Sequence, residues 1–144
     1  MNGKFSEKEF KDIFSKVRRI CADLIIKNSR GEILLTLRKH NPVGFWHLPG
    51  GMIYYNESVE NAVHRLAKEE LNAEVKIIKH SGFIDWFDYI GGDKPISIVF
   101  EVKLVSPENK IKLDFQASEW KFFSEIPENI LKEQKQFLDK LNWN

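Results

Sequence analysis

Between Gly50 and Leu71 the chain reads GGMIYYNESVENAVHRLAKEEL, a pair of glycines followed by an amphipathic helix that carries a carboxylate on its oily side. At roughly 100° per residue, Val59, Ala62, Val63, Leu66 and Ala67 gather into one apolar stripe. Glu70 projects into the middle of that stripe, and Glu69 lies nearer its edge. Such a helix must pack against another layer, and an ionised carboxylate inside the contact is costly unless a basic side chain, backbone amides or a divalent metal meets it. Arg65, one turn before Glu69, predicts an ion pair with Glu69 and leaves Glu70 without a local partner. On the helix alone, a distant Lys or Arg and a metal are equally good answers. Gly50 and Gly51 tip the balance, because glycines let backbone carbonyls approach a hard cation such as magnesium.

The flanking sequence predicts the layers that cover this helix. Ser6 with Glu9 forms a capping-box pattern, and Phe10, Ile13, Phe14 and Val17 recur at helical spacing, so a first helix is expected over about 6–17. Residues 20–27 read as a buried strand, 28–31 as a tight turn and 32–38 as its hairpin partner. The stretch 39–51, with Pro42, Gly44, Pro49 and the glycine pair, is expected to be one long irregular loop. Asn56 or Ser58 opens the central helix. Strands are expected within 75–90, interrupted at Gly82, over 96–105 and over 119–123, with a short extended piece around 111–113. Pro127 is expected in the first turn of a last helix whose inner face is Ile130, Leu131, Gln134, Phe137, Leu138 and Leu141. This order predicts an α+β fold, a mixed β-sheet between helices in an α/β/α sandwich.

Charge and cysteine content narrow the function. Lys and Arg total 22 against 21 acidic residues, so no strong field favours a nucleic-acid polymer or an anionic membrane. The single Cys21, inside an apolar run, reads as a small buried residue. With no signal-peptide pattern at the start and no run of membrane-spanning length, a cytoplasmic protein is expected.

Gly51, Glu57, Arg65, Ala67, Glu69, Glu70 and Ala73 fall at the spacing of the Nudix box, and Trp46-His47-Leu48-Pro49-Gly50-Gly51 resembles the approach to it. The resemblance implies a Nudix domain over 18–144, preceded by a helical extension over 1–17. Two positions depart from the pattern: Leu66 replaces a Glu and Asn72 replaces the closing Gly. Asn72 still suits a left-handed cap, whereas Leu66 removes a carboxylate one turn before Glu70. Leu66 together with Asp23, the 28–32 turn, Arg38, Trp86 and Gln116 makes the chain similar to GDP-mannose mannosyl hydrolases.

That resemblance implies one magnesium ion, with manganese as the alternative, held by the Gly50 carbonyl, Glu70 and Gln116. Asp23, Arg38 and Trp86 would contact a nucleotide sugar, and Arg65, Glu69 and Glu70 would serve catalysis. A homodimer is likewise implied. The subgroup's histidine after the metal glutamine is here Ala117, and its arginine after the glycine pair is Met52. Glu119, Asp114, Asp85, Asp88 and His47 are candidate replacement bases; His47 otherwise reads as a packing residue, and His40, His64 and His80 as surface residues. Attack at the sugar carbon, attack at phosphorus and a binding module without catalysis all stand as readings.

Overall fold

The computed structural model describes residues 5–141, and its layers follow the alternation of the first strand. Strand β1 (Ile20–Lys27) is buried from Cys21 to Ile26. Ala22, Leu24 and Ile26 face one core, and Ile25 faces the other. A central strand covered on both faces needs this near-continuous apolar run.

The remaining elements are α1 (Glu7–Phe14), β2 (Ile33–Arg38), β3 (Trp46–His47), β4 (Gly50–Met52), α2 (Val59–Leu71), β5 (Val75–Asp85), β6 (Ile96–Leu104), β7 (Ala117–Phe123) and α3 (Lys132–Lys140), with a 3₁₀ turn at Glu108–Lys110. One seven-stranded sheet runs β3-β2-β1-β6-β5, with β7 beside β2 and β4 beside β1. β1 is parallel to β6 along its whole length. On its other edge it meets β2 only at Lys27 and Ile33, while β4 occupies the positions of Cys21, Ala22 and Asp23. The sheet therefore forks along β1, and the fork places the glycine pair against Asp23.

Helix α2 covers one face with Val63, Leu66, Ala67 and Leu71. Ile130, Leu131 and Leu138, from α3 and the turn before it, close the other over Ile25, Leu35, Leu48 and Val99. This is the α/β/α layering that the sequence predicts. The N-terminal helix has its capping box, with Ser6 and Glu9 exchanging hydrogen bonds at 3.1 Å, yet it buries none of its residues. No helix among the described residues is long and apolar enough to cross a membrane.

Two expectations need correction. The stretch 39–51 is not irregular throughout: β3 and the start of β4 lie in it, pinned by partners distant in sequence, and ladders of two or three residues leave no periodic signature. The last helix begins only at Lys132, because residues 129–131 run extended alongside β3. The Trp46 amide donates to Asn129 O at 2.8 Å and the Leu131 amide to Trp46 O at 3.2 Å. Pro127 therefore precedes the helix rather than opening it. Residues 111–113 lie outside the sheet, with Ile111 extended as expected, and Ile111 and Leu113 pack on the α2-side core.

Candidate active site

Helix α2 is built as its sequence requires. The Ser58 side chain caps its start by accepting from the Asn61 amide at 3.1 Å, and Asn72 ends it at φ 51°, ψ 38°, the left-handed conformation that Asn tolerates. Within the helix Glu70 is buried at 6% exposure, beside Leu66 and Ala67. Among the described residues no Lys or Arg makes an ion pair with it; its one hydrogen bond comes from the Gly50 amide, to Oε1 at 3.3 Å. Burial pushes its carboxyl up to about 8, the negative charges of Asp114 and Asp23 add to the rise, and the Gly50 amide opposes it.

The glycine pair fits because it has no side chains. A Cβ on Gly50 would lie 2.4 Å from the Ala22 carbonyl oxygen and 2.5 Å from Asp23 Oδ1; one on Gly51 would meet Leu66 Cδ2 at 2.9 Å. The backbone thus threads between two buried carboxylates, Asp23 on the α3 side of the sheet and Glu70 on the α2 side.

Arg65 braces the segment that follows. Its guanidinium donates to both Glu57 oxygens, with a shortest contact of 2.7 Å, to the Met52 carbonyl at 2.7 Å and to Glu69 at 3.1 Å. It also lies 3.9 Å from the centre of the Tyr54 ring. The hydrogen bonds from Arg65 hold the Glu57 carboxyl below the usual carboxylate range. The expected Arg65–Glu69 pair is present, but Glu69 is half exposed and Glu57 is the stronger partner.

On the α3 side a cleft is lined by Arg19, Cys21, Asp23, Arg38, His47, Gly50, Trp86, Tyr89, Ser97 and Gln134, among others. Asp23, Arg38 and Trp86 thus line one cleft, and Gly50 forms part of its wall. Gln134 Nε2 donates to Asp23 Oδ2 at 3.1 Å, and its Oε1 accepts from the Leu48 amide at 2.8 Å. The Trp86 indole donates to Ser97 Oγ at 2.9 Å, and Trp86 packs edge-on against Tyr89. Burial raises the Asp23 carboxyl to about 6, opposed by hydrogen bonds from Gln134 and Ser97 and by the charges of Arg19 and Arg38.

Gln116 lies outside this cleft, immediately before β7. Its amide donates to Asp114 Oδ1 at 2.9 Å, and it makes no hydrogen bond with Glu70 or Gly50. Among the candidate bases, Glu119, Asp85 and Asp88 are exposed, and Asp85 is paired with Arg18. His47 bonds Thr36 Oγ1 through Nδ1 at 3.1 Å. Burial and the Arg38 charge lower it to about 3, so it is a neutral imidazole at physiological pH.

Among the described residues no three His, Cys, Asp or Glu side chains converge as a metal-binding group. A cation at Glu70 would take its other donors from backbone or amide oxygens, the type that Gly50 and Gln116 offer, and from water and substrate. The buried carboxylate, with no Lys or Arg paired to it among the described residues, and the glycine cradle beside it fit a hard divalent ion.

Arg19, Ser97 and Gln134 were not singled out by sequence as site residues. Gln134 carries the same signal as Glu70, a polar residue in an apolar helical stripe. Ser97 interrupts an apolar strand in the same way. Nothing local marks Arg19.

Residues 17–141 match the NUDIX domain. The Low-salt glycan biosynthesis protein Agl8 of Haloferax volcanii is 31% identical over 146 residues, covering 96% of this chain and 92% of that protein. An ADP-ribose pyrophosphatase of Methanocaldococcus jannaschii is 32% identical over 125 residues, 86% of this chain and 73% of its own. The crystal structure of the MutT protein from Methanosarcina mazei superposes with a TM-score of 0.77 at 26% identity, over 88% of this chain and 94% of that one.

Proposed function

The chain belongs to the NUDIX domain family of hydrolases, and we propose that it acts with magnesium on a nucleoside diphosphate joined to a sugar. The observation that carries this reading is the position of Gly50. Its amide donates to the Glu70 carboxylate, which has no Lys or Arg partner among the described residues, and its other side abuts Asp23 in the cleft that also holds Arg38 and Trp86. A charged diphosphate and a polar sugar need such adjoining environments. A relative named for glycan biosynthesis and another named ADP-ribose pyrophosphatase support a substrate of this kind.

In this reading Glu70, the Gly50 carbonyl and Gln116 hold the magnesium ion. Bound there, the ion supplies positive charge against the diphosphate and its developing negative charge as the leaving group departs. Arg38 donates to a phosphate oxygen or a sugar hydroxyl, and Asp23 accepts from hydroxyls. Trp86 and Tyr89 give the cleft an aromatic wall that excludes water. Arg65, tied to Glu57 and Met52, holds the loop after the glycine pair and so keeps Gly50 in register with Asp23.

Leu66, Gln116 and the cleft residues favour attack at the sugar carbon, releasing sugar and nucleoside diphosphate. Ala117 and Met52 favour a second reading, attack at phosphorus giving two monophosphates. Incubation of the protein with magnesium and a panel of nucleotide sugars in ¹⁸O-labelled water separates them by mass. Label in the released sugar supports the first reading and label in phosphate the second. Binding without any turnover would remove both.

A further inference from the structure

We infer that Asp114 is a positioning residue for the metal site: its carboxylate takes both the backbone and the side-chain N–H of Gln116 and so turns that amide with its oxygen free for the cation. The inference rests on the proposed role of Gln116 as a magnesium ligand, and it names the residue that makes an amide fit for that role.

The segment that carries both residues is pinned beside Glu70. Asn72, which ends α2, donates through Nδ2 to the Lys110 carbonyl at 3.1 Å, and the Lys112 amide donates to the Leu71 carbonyl at 2.9 Å. Ile111 and Leu113 pack on the core that α2 covers. Further along, the Lys39 amide donates to the Gln116 carbonyl at 3.1 Å, and His40 Nε2 bonds the Phe115 carbonyl at 3.2 Å. Residues 110–116 thus form a strap held against the last turn of the helix that bears Glu70. Asp114 and Gln116 are both half-buried in it. The charge of Asp114 acts on the Glu70 carboxyl more strongly than that of Asp23 does.

A primary amide has donors on one side and an acceptor on the other, and only its oxygen can meet a metal ion. The Gln116 backbone N–H donates to Asp114 Oδ1 at 2.9 Å, and its Nε2 donates to Oδ2 at 3.4 Å. A carboxylate has no proton to give, so this second contact is made by Nε2 and never by Oε1. Among the described residues Oε1 accepts no hydrogen bond, and it is the atom left for a hard ion. With Leu66 in place of a helical carboxylate, Glu70 is the one charged donor of the proposed set. A Gln116 amide turned the other way would point N–H groups at the cation, so the outer partner that fixes its orientation controls the site.

The test is titration of the full chain with manganese, without substrate, read by the EPR signal of the free ion. It compares the wild type with Asp114→Asn, Asp114→Ala and Glu70→Gln, and thermal melts establish that each is folded. Asp114→Asn keeps the shape but leaves a single acceptor oxygen. The Gln116 backbone N–H claims it, so the new amide nitrogen faces the side chain and draws Oε1 away from the ion. Asp114→Asn should therefore weaken binding at least ~10-fold, as expected when a metal ligand loses its outer partner, and more than Asp114→Ala, which imposes no orientation. With Gln116→Glu added, the side chain offers an oxygen either way round, and Asp114→Asn should then bind no more weakly than Asp114→Ala. A role through charge alone predicts equal losses for the two, and a role in folding predicts the larger loss for Ala. Either result with Gln116 in place overturns the inference, as does an Asn deficit that persists with Gln116→Glu. Loss of binding in Glu70→Gln with none in Asp114→Asn overturns this inference alone. Absence of manganese binding in the wild type, or no loss in Glu70→Gln, overturns the metal site itself and this inference with it.

Discussion

The Gly50 amide donates to Glu70 Oε1 at 3.3 Å, while a Cβ on the same glycine would lie 2.5 Å from Asp23 Oδ1. One residue of backbone thus separates two carboxylates that approach it from opposite faces of the sheet. Burial raises both groups, Glu70 to about 8 and Asp23 to about 6. A site that holds two reluctant anions this close is arranged for positive charge brought from outside.

Stability without metal should fall as pH rises. A carboxyl whose folded value is raised keeps a proton that the unfolded chain has lost, so its contribution is present below the unfolded value and disappears through the folded one. For Glu70 that window runs from 4.5 to about 8. Asp23 acts in the same direction from 3.8 to about 6. His47, lowered from 6.5 to about 3, acts oppositely but is neutral in both states above 6.5. In chelator the melting temperature should therefore drop by roughly 3–8 °C between pH 6.5 and 8 because of Glu70 alone. Glu70→Gln should flatten that slope, and added magnesium should reverse it only in the wild type.

Alanine at the two glycines should separate by position. Gly50→Ala drives a methyl into the Ala22 carbonyl and Asp23, neither of which can yield cheaply. A loss of about 1–3 kcal/mol is expected from denaturant unfolding, together with loss of turnover. Gly51→Ala crowds the end of the Leu66 side chain at 2.9 Å and meets Glu70 Oε2 at an ordinary 3.7 Å, and its cost should be smaller.

Arg65 should be irreplaceable by lysine. Its fork serves Glu57, Met52 and Glu69 at once, a geometry that an ammonium cannot reproduce. Arg65→Lys is expected to lower stability by about 1–3 kcal/mol, with strong non-additivity in a double-mutant cycle with Glu57→Gln. Glu69→Gln, at the exposed end of the network, should change stability by less than about 0.5 kcal/mol.

Gln134→Leu should injure the cleft from the far helix. It leaves the Leu48 amide and Asp23 without their partner in a buried place, at a cost of about 1–3 kcal/mol. Substrate KM should rise, because Asp23 loses the contact that fixes its orientation, while magnesium affinity should hold.

The long, periodic elements were legible because each states its environment residue by residue: the buried run of β1, the stripe of α2 and the capping box at Ser6. Glu70 was legible for the same reason, as a violation of its own helix. What escaped depended on partners distant in sequence. Strands β3 and β4 exist because β2 and β1 lie beside them, and α3 starts late because residues 129–131 pair with Trp46. Arg19 reaches the cleft only because the turn bearing Asp93 folds back against it. The family spacing located Asp23, Arg38 and Trp86, and the fork at β1 is the physical reason that they line one cleft.

The central claim is that Glu70 is kept charged by a divalent ion. The most direct measurement is magnesium titration by calorimetry on the wild type, Glu70→Gln and Glu60→Gln, each checked for folding. The account predicts that Glu70→Gln weakens magnesium binding at least ~10-fold, the loss expected when a charged ligand becomes neutral, while Glu60→Gln leaves it unchanged. Equal affinities in all three proteins would contradict it.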